Sequence, residues 1–222
     1  YKHFMKKKYI KVAIDSPAGA GAGTQSKLIS KHYNLFYLDT GKIYRVLAYH
    51  KIKCPKKFNL TYVKNKIKKL KLKELSDKKL LTNEIGLESS LISKNIKIRK
   101  LVDKLQKRLA YKAPKKFNGA CLDGRDITYK IIPDADFKFF LTANIKVRAT
   151  RRYNELKKIN KKIKYSDVIK SIKKRDKNDF KRKVSPLKKT KDSILIDTTN
   201  LTIKECFVRI KKIIDKKLQI SI

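Results

Sequence analysis

Residues 8–32 constrain the fold more than any other stretch of the chain. The run 8–15, KYIKVAID, is rich in β-branched and apolar residues and ends at a turn, the pattern of a buried strand. Residues 16–23, SPAGAGAG, follow at once, with Gly19, Gly21 and Gly23 in alternation. Residues 24–32, TQSKLISKH, then read as a helix with Leu28 and Ile29 facing inward. A strand that passes through alternating glycines into a helix lets successive backbone N–H groups curl around an anion. The helix N-terminus adds roughly half a positive charge at the same place. Thr24 is positioned to cap that helix.

The alternation continues. Residues 35–38, LFYL, read as a second short strand and 41–49 as a second helix, the order expected of a parallel sheet. From about 54 to 117 the character changes to a Lys-rich stretch with short alternating pieces such as Leu70-Lys71-Leu72 and one good helical run, 98–111. This reads as an inserted lobe. The sheet resumes at 119–122 and 137–143, helices follow at about 145–157 and 165–176, and Pro186 breaks the chain. A last strand, 193–197, and a last amphipathic helix, 202–217, complete it; there is no internal repeat.

Composition narrows the function classes. The 222 residues suffice for one large α/β domain with inserted lobes. No apolar run approaches the roughly 20 residues of a membrane-spanning helix, and the apolar part of 9–14 is too short for a signal-peptide core. The chain is read as cytoplasmic, with Met5 a candidate start residue. Three scattered cysteines, Cys54, Cys121 and Cys206, and three histidines form no metal spacing, so they read as small buried thiols with no protein-held metal. The formal net charge of +41 alone suggests nucleic acid or an anionic surface. But the charge is mostly Lys, spread along the chain, without a focused basic patch carrying interleaved aromatics. It reads as background, with no specific nucleic-acid partner.

One residue is conspicuous at the glycine turn. Turns of this kind normally carry a Lys that reaches the terminal phosphates of a bound nucleotide. Ala22 stands there, and Ser16 stands where the first glycine is usual. The backbone cradle is kept and the point charge is lost.

Further strings carry a resemblance. Residues 38–45 read LDTGKIYR, 123–126 DGRD followed by PDA at 133–135, 148–152 RATRR, 175–187 RDKNDFKRKVSPL, and 196–199 IDTT. In this order, with the glycine turn first, they resemble bacterial cytidylate kinases of the P-loop nucleoside monophosphate kinase family over roughly 10–217. The resemblance implies a three-layer αβα P-loop NTPase fold with a parallel central sheet. Its core is 1–53 and 118–222, its NMP-binding insert about 54–117, and its lid region about 153–186. It implies a monomer that moves the γ-phosphoryl group of ATP, bound as its Mg2+ complex, to CMP or dCMP.

Residue by residue, it implies that Ser16, Pro17, Ala18, Gly19, Ala20, Gly21, Ala22, Gly23 and Thr24 hold the ATP phosphates. Arg148 and Arg152 resemble the arginines at the lid that engage ATP, and they are the leading candidates to replace the missing ammonium. Thr40 and Arg45 face the CMP site, with Arg45 on the CMP phosphate. Ser90 and Arg99, in SSLISKNIKIR, meet the cytosine with Asp126 opposite. Arg125 and Arg182 join the phosphate cluster, and Arg175 and Asp179 bind the ribose. Arg45, Arg125, Arg152 and Arg182 are thereby the expected catalytic arginines, since phosphoryl transfer asks mainly for positioning and charge neutralisation. Tyr44 reads as core. Thr128 and Tyr129 depart from the family, where a glycine and a small hydroxyl residue follow DGRD, and Asn178 replaces a lid arginine. The rival readings are a catalytically impaired nucleotide-binding protein, because of Ala22, or a kinase for UMP or AMP.

Overall fold

The structure, a computed structural model, describes residues 9–219. The basic segment 1–8, with Met5 and the expected first strand residue Lys8, lies outside them. Strands β1 (Ile10–Asp15), β2 (Phe36–Asp39), β3 (Gly119–Gly124), β4 (Phe137–Thr142) and β5 (Ile194–Asp197) form one sheet in the order β2-β3-β1-β4-β5. Every pairing in it is parallel. Such a sheet is covered on both faces, and all six residues of β3 are accordingly buried.

Successive strand residues point to opposite faces, and the core divides accordingly. Val12 and Ile14 of β1 pack with Ile29 of α1 (Ala22–Tyr33) and Ile210 and Ile214 of α8 (Ile203–Leu218). Ala13 of β1 packs instead with Ile43 and Leu47 of α2 (Thr40–Lys53), on the side that also holds Val102 and Leu105 of α5 (Ile96–Tyr111). The result is a three-layer αβα sandwich around a parallel sheet.

Between α2 and β3 the chain is helical: α3 (Leu60–Lys69), α4 (Asn83–Ile92) and α5, joined by short 3-10 turns, one of which, Leu72–Ser76, begins within the alternating Leu70-Lys71-Leu72 piece. Side chains start these helices. Asn59 accepts from Tyr62 N–H, Thr82 from Ile85 N–H, and Asn95 from Lys97 and Ile98 N–H, each satisfying donors that the helix itself cannot. Beyond β4, α6 (Ile145–Lys157) and α7 (Tyr165–Lys181) share a small core of Ala149, Leu156, Val168 and Ile172.

Three expectations are corrected. Thr24 does not cap α1: the helix begins at Ala22, and Gly21, at φ 94°, is its N-cap with no side-chain bond. The left-handed backbone that glycine permits brings the chain into the helix earlier than a side-chain cap would. Helix α7 runs past Asp176 to Lys181 and ends where Arg182 turns extended, at φ −65° and ψ 139°. Finally, the cysteines are not all buried. Cys121 and Cys206 are, but Cys54 is exposed in the turn after α2.

Candidate active site

The glycine turn leaves the carboxyl end of β1, in the middle of the sheet, where parallel α/β folds place ligands. Gly19 and Gly21 have positive φ, 80° and 94°. At Gly19 a Cβ would also lie 2.8 Å from the carbonyl oxygen of Arg148. Side chains tie two of the turn's carbonyls: Ala18 O accepts from Arg148 NH1 at 3.0 Å and Ala20 O from Thr198 Oγ1 at 3.0 Å. The N–H groups of Gly19, Gly21, Ala22, Gly23 and Thr24 have no acceptor among the described residues. Five free donors at a helix N-terminus make an anion cradle. The Thr24 side chain is exposed beside them.

Beside the cradle lies a cavity lined by Thr40, Ser90, Arg99, Arg125, Asp126, Arg175, Asp179 and Arg182, together with Tyr44, Ser89, Ser93, Gly41 and Gly124. Eight of the nine expected CMP-binding residues therefore meet in one place, although they come from α2, α4, α5, the β3 edge and α7. Arg45, the ninth, lines a neighbouring cavity with Ala18, Arg152 and Arg175. Arg175 belongs to both.

Two ion-pair systems organise the first cavity. Arg99, 2% exposed, gives NH1 to Asp126 at 2.7 Å and Nε to Ser93 O at 2.9 Å. Its guanidinium also lies over the Tyr44 ring, 5.3 Å from the centroid. Asp179, 3% exposed, accepts from Arg125 Nε at 2.8 Å and from Ser90 Oγ at 2.9 Å, with Arg175 at 3.7 Å and Arg182 at 3.9 Å. Burial alone would raise the Asp179 carboxyl; the three arginines outweigh it and hold it below the usual carboxylate range.

The cations are crowded in turn. Burial, then the charge of Arg125, lowers Arg175 to about 10. Burial, then Arg175 and Arg152, lowers Arg45 well below the usual arginine value. Arg175 Nε and Arg182 NH2 are buried without a hydrogen-bond partner. Clustered guanidinium groups with unused donors call for an anion.

The remaining expected residues are already engaged. Arg45 donates to Leu80 O at 2.5 Å and to Thr82 O. Arg152 donates to Glu155 at 2.6 Å and to Leu81 O. Arg148 spends its fork on Ala143 O, Ala18 O and Asp176, which pins α6 and the glycine turn to α7. Thr40 Oγ1 donates to the Asp123 carbonyl at 2.7 Å.

Sequence reasoning missed several residues of the site. Tyr44 is buried as expected, yet it also walls the cavity; it follows Thr40 by four, on the same helix face. Ser93, three after Ser90, accepts from Arg182 NH1 at 2.9 Å. The sequence marks Asp15 only as the end of a strand. It is fully buried and accepts from Ile127 N–H, Thr128 N–H and Thr128 Oγ1 at 2.9, 2.9 and 2.6 Å. Burial pushes its carboxyl up to about 6 even against those donors. It anchors the π-helical turn Ile127–Ile131 directly behind Asp126, with Thr128 as its partner. Asp15→Ala is expected to strand three donors and cost about 2 kcal/mol of stability, measured by urea unfolding. A midpoint equal to wild type would mean that the turn is held by other contacts.

At the edge between cradle and cavity, Asp123 and Asp39 face each other as register partners of β3 and β2. Burial, then the Asp39 charge, raises the Asp123 carboxyl, which accepts from Tyr37 OH at 2.9 Å. No group of three or more metal-ligating side chains occurs among the described residues, and no helix there is long and apolar enough to cross a membrane.

Known proteins share the pattern. The family described as cytidylate kinase matches residues 12–216. A cytidylate kinase of Clostridium tetani is 40% identical, over 93% of this chain and 94% of its own. Those of Thermosipho melanesiensis and Bartonella tribocorum are each 37% identical, over 95% of this chain and 99% and 97% of theirs. A family match over nearly the whole parallel-sheet fold, and relatives at 37–40% identity over almost their full lengths, place the chain in the cytidylate kinase family.

Proposed function

We propose that the chain transfers the γ-phosphoryl group of ATP to CMP or dCMP, giving ADP and CDP or dCDP. What carries this reading is the Arg99–Asp126 pair, buried at one side of an arginine-lined cavity that adjoins five free backbone donors. Cytosine shows an amino donor at N4 and acceptors at N3 and O2. Asp126 offers an acceptor and Arg99 donors, the complementary set. Uracil exchanges the first two groups and sets an acceptor against Asp126, a mismatch that a polar site rejects strongly. Ser90 completes the base side, and Arg175 and Asp179 take the ribose. Arg45, Arg125 and Arg182 receive the CMP phosphate, with Thr40 beside it.

In the transfer, an oxygen of the CMP phosphate forms a bond to the γ-phosphorus. The bond to the β–γ bridging oxygen breaks, and its electron pair leaves with ADP. The residues 16–24 hold the ATP phosphates through the backbone, and Arg148 and Arg152 act from the α6 side. Mg2+ bound with ATP would neutralise part of the phosphate charge and would be held chiefly by phosphate and water. The facing Asp39 and Asp123 carboxylates and the Thr24 hydroxyl are the protein oxygens suited to it. The protein works as a monomer in the cytoplasm, with residues 54–117 as the acceptor lobe and 153–186 as the lid.

A coupled ADP-release assay with CMP, dCMP, UMP and AMP tests the reading. CMP and dCMP should give a kcat/KM at least roughly 100-fold above UMP; parity between UMP and CMP overturns the assignment. The charge is background in this reading. RNA binding near physiological salt should be weak and indifferent to sequence, and selective nanomolar binding in a filter assay would contradict that.

A further inference from the structure

The cradle lacks an ammonium of its own, because Ala22 opens α1 where turns of this kind carry Lys. The arginines near it each hold protein acceptors in this conformation and reach a phosphate only by exchanging one of them, so none stands ready as a free cation. Arg148 has three acceptors, Arg152 bonds Glu155 and Leu81 O, and Arg125 bonds Asp179. Lys27 is exposed, five residues into α1.

Lys42 is placed differently. It is the third residue of α2, half-buried, and it makes no hydrogen bond, ion pair or ring contact among the described residues. No acidic residue occupies that first turn. A cation there opposes the helix dipole and gives up hydration without a partner, an arrangement that favours an incoming anion. The sheet brings it to the cradle's side. Asp39, the last residue before α2, pairs in register with Asp123, and Asp123 pairs with Ile14, two residues before the glycine turn. A Cβ on Gly23 would lie 3.5 Å from Tyr37 OH and 3.9 Å from Asp123 Oδ2. The first turns of α1 and α2 therefore flank the same carboxylate.

We infer that Lys42 supplies from α2 the ammonium that the cradle lacks at Ala22, binding the phosphoryl oxygens of ATP as they accept charge. Lysine suits the task, since its four-carbon stem carries a compact charge that needs no fixed fork geometry. The transfer itself is unchanged: one O–P bond forms, one breaks, and Lys42 gives up no proton. The inference rests on the kinase reading proposed above.

Four proteins test it: wild type, Lys42→Ala, Ala22→Lys and the double variant. Each is assayed for ADP release with CMP, for equilibrium binding of CMP and of a non-hydrolysable ATP analogue, and for thermal unfolding. Lys42→Ala should lower kcat about 100-fold and weaken the ATP analogue, leaving CMP affinity and melting temperature at wild-type values. Ala22→Lys should recover most of the loss in the Lys42→Ala background and gain little in the wild type, where two ammonium groups would compete. A kcat within threefold of wild type for Lys42→Ala overturns the inference and leaves the kinase reading intact. So does an equal gain from Ala22→Lys in both backgrounds, or a lowered melting temperature that accounts for the loss. A wild type that binds CMP yet transfers nothing overturns the functional reading, and the role of Lys42 falls with it.

Discussion

Asp126→Ala is expected to lower kcat/KM for CMP by about 2–4 kcal/mol of transition-state binding. The cytosine amino group loses its acceptor in a site where water cannot easily replace it, since Asp126 is 5% exposed. The loss has a second part. Among the described residues Arg99 keeps Ser93 O as its hydrogen-bond acceptor, and a buried guanidinium that loses its paired carboxylate is costly. The two parts separate experimentally. Asp126→Asn keeps the side-chain volume and an oxygen for Arg99, but it can present a donor toward the base. It should lose CMP activity while raising UMP relative to CMP, because uracil O4 accepts where cytosine N4 donates. If Asp126→Asn lowered CMP and UMP equally, the pair would serve structure and not base choice. Unfolding curves of both variants report the stability share alone.

The readable and unreadable parts of this chain divide along physical lines. The glycine turn was legible because positive φ at Gly19 and Gly21 demands glycine and little else does. The strands were legible as short apolar runs bounded by turns, and β1 to β5 fall within two residues of their expected bounds. Thr24 misled because hydroxyl capping presumes an extended N-cap, whereas Gly21 is left-handed. The resemblance placed Arg99 and Asp126 at one base, but not their 2.7 Å contact, since partners 27 residues apart meet only through the packing of α5 on the β3 edge. Arg45 shows the same limit. Its fork is held by carbonyl oxygens of Leu80 and Thr82, and backbone acceptors in a Lys-rich turn leave no trace in residue types. Asp15 was hidden for a related reason: its donors are mostly main-chain N–H groups of a turn more than 110 residues away.

Asp179→Ala should be the most damaging single change in the acceptor cavity. Asp179 sits among Arg125, Arg175 and Arg182, at 2.8, 3.7 and 3.9 Å. Removing it leaves three mostly buried guanidinium groups facing one another with no anion between them, and it frees Ser90 Oγ as well. Breaking a buried pair from one side costs about 3–5 kcal/mol, which for a domain of this size lowers the melting temperature by roughly 10 °C. Asp179→Asn retains the volume and the Ser90 bond, so it isolates the charge. The pH dependence gives the sign. The Asp179 carboxyl titrates below its unfolded value because the arginines outweigh the burial penalty. Its stabilisation is therefore present above the unfolded carboxylate pKa, and it fades as pH falls through the lower folded value. The stability curves of wild type and Asp179→Asn should differ most near neutrality and converge in acid. Inorganic phosphate, a dianion able to sit among the same arginines, should raise the melting temperature of Asp179→Asn more than that of wild type. Parallel curves from neutrality to acid, with equal phosphate shifts, would show that the three arginines are neutralised by something other than Asp179.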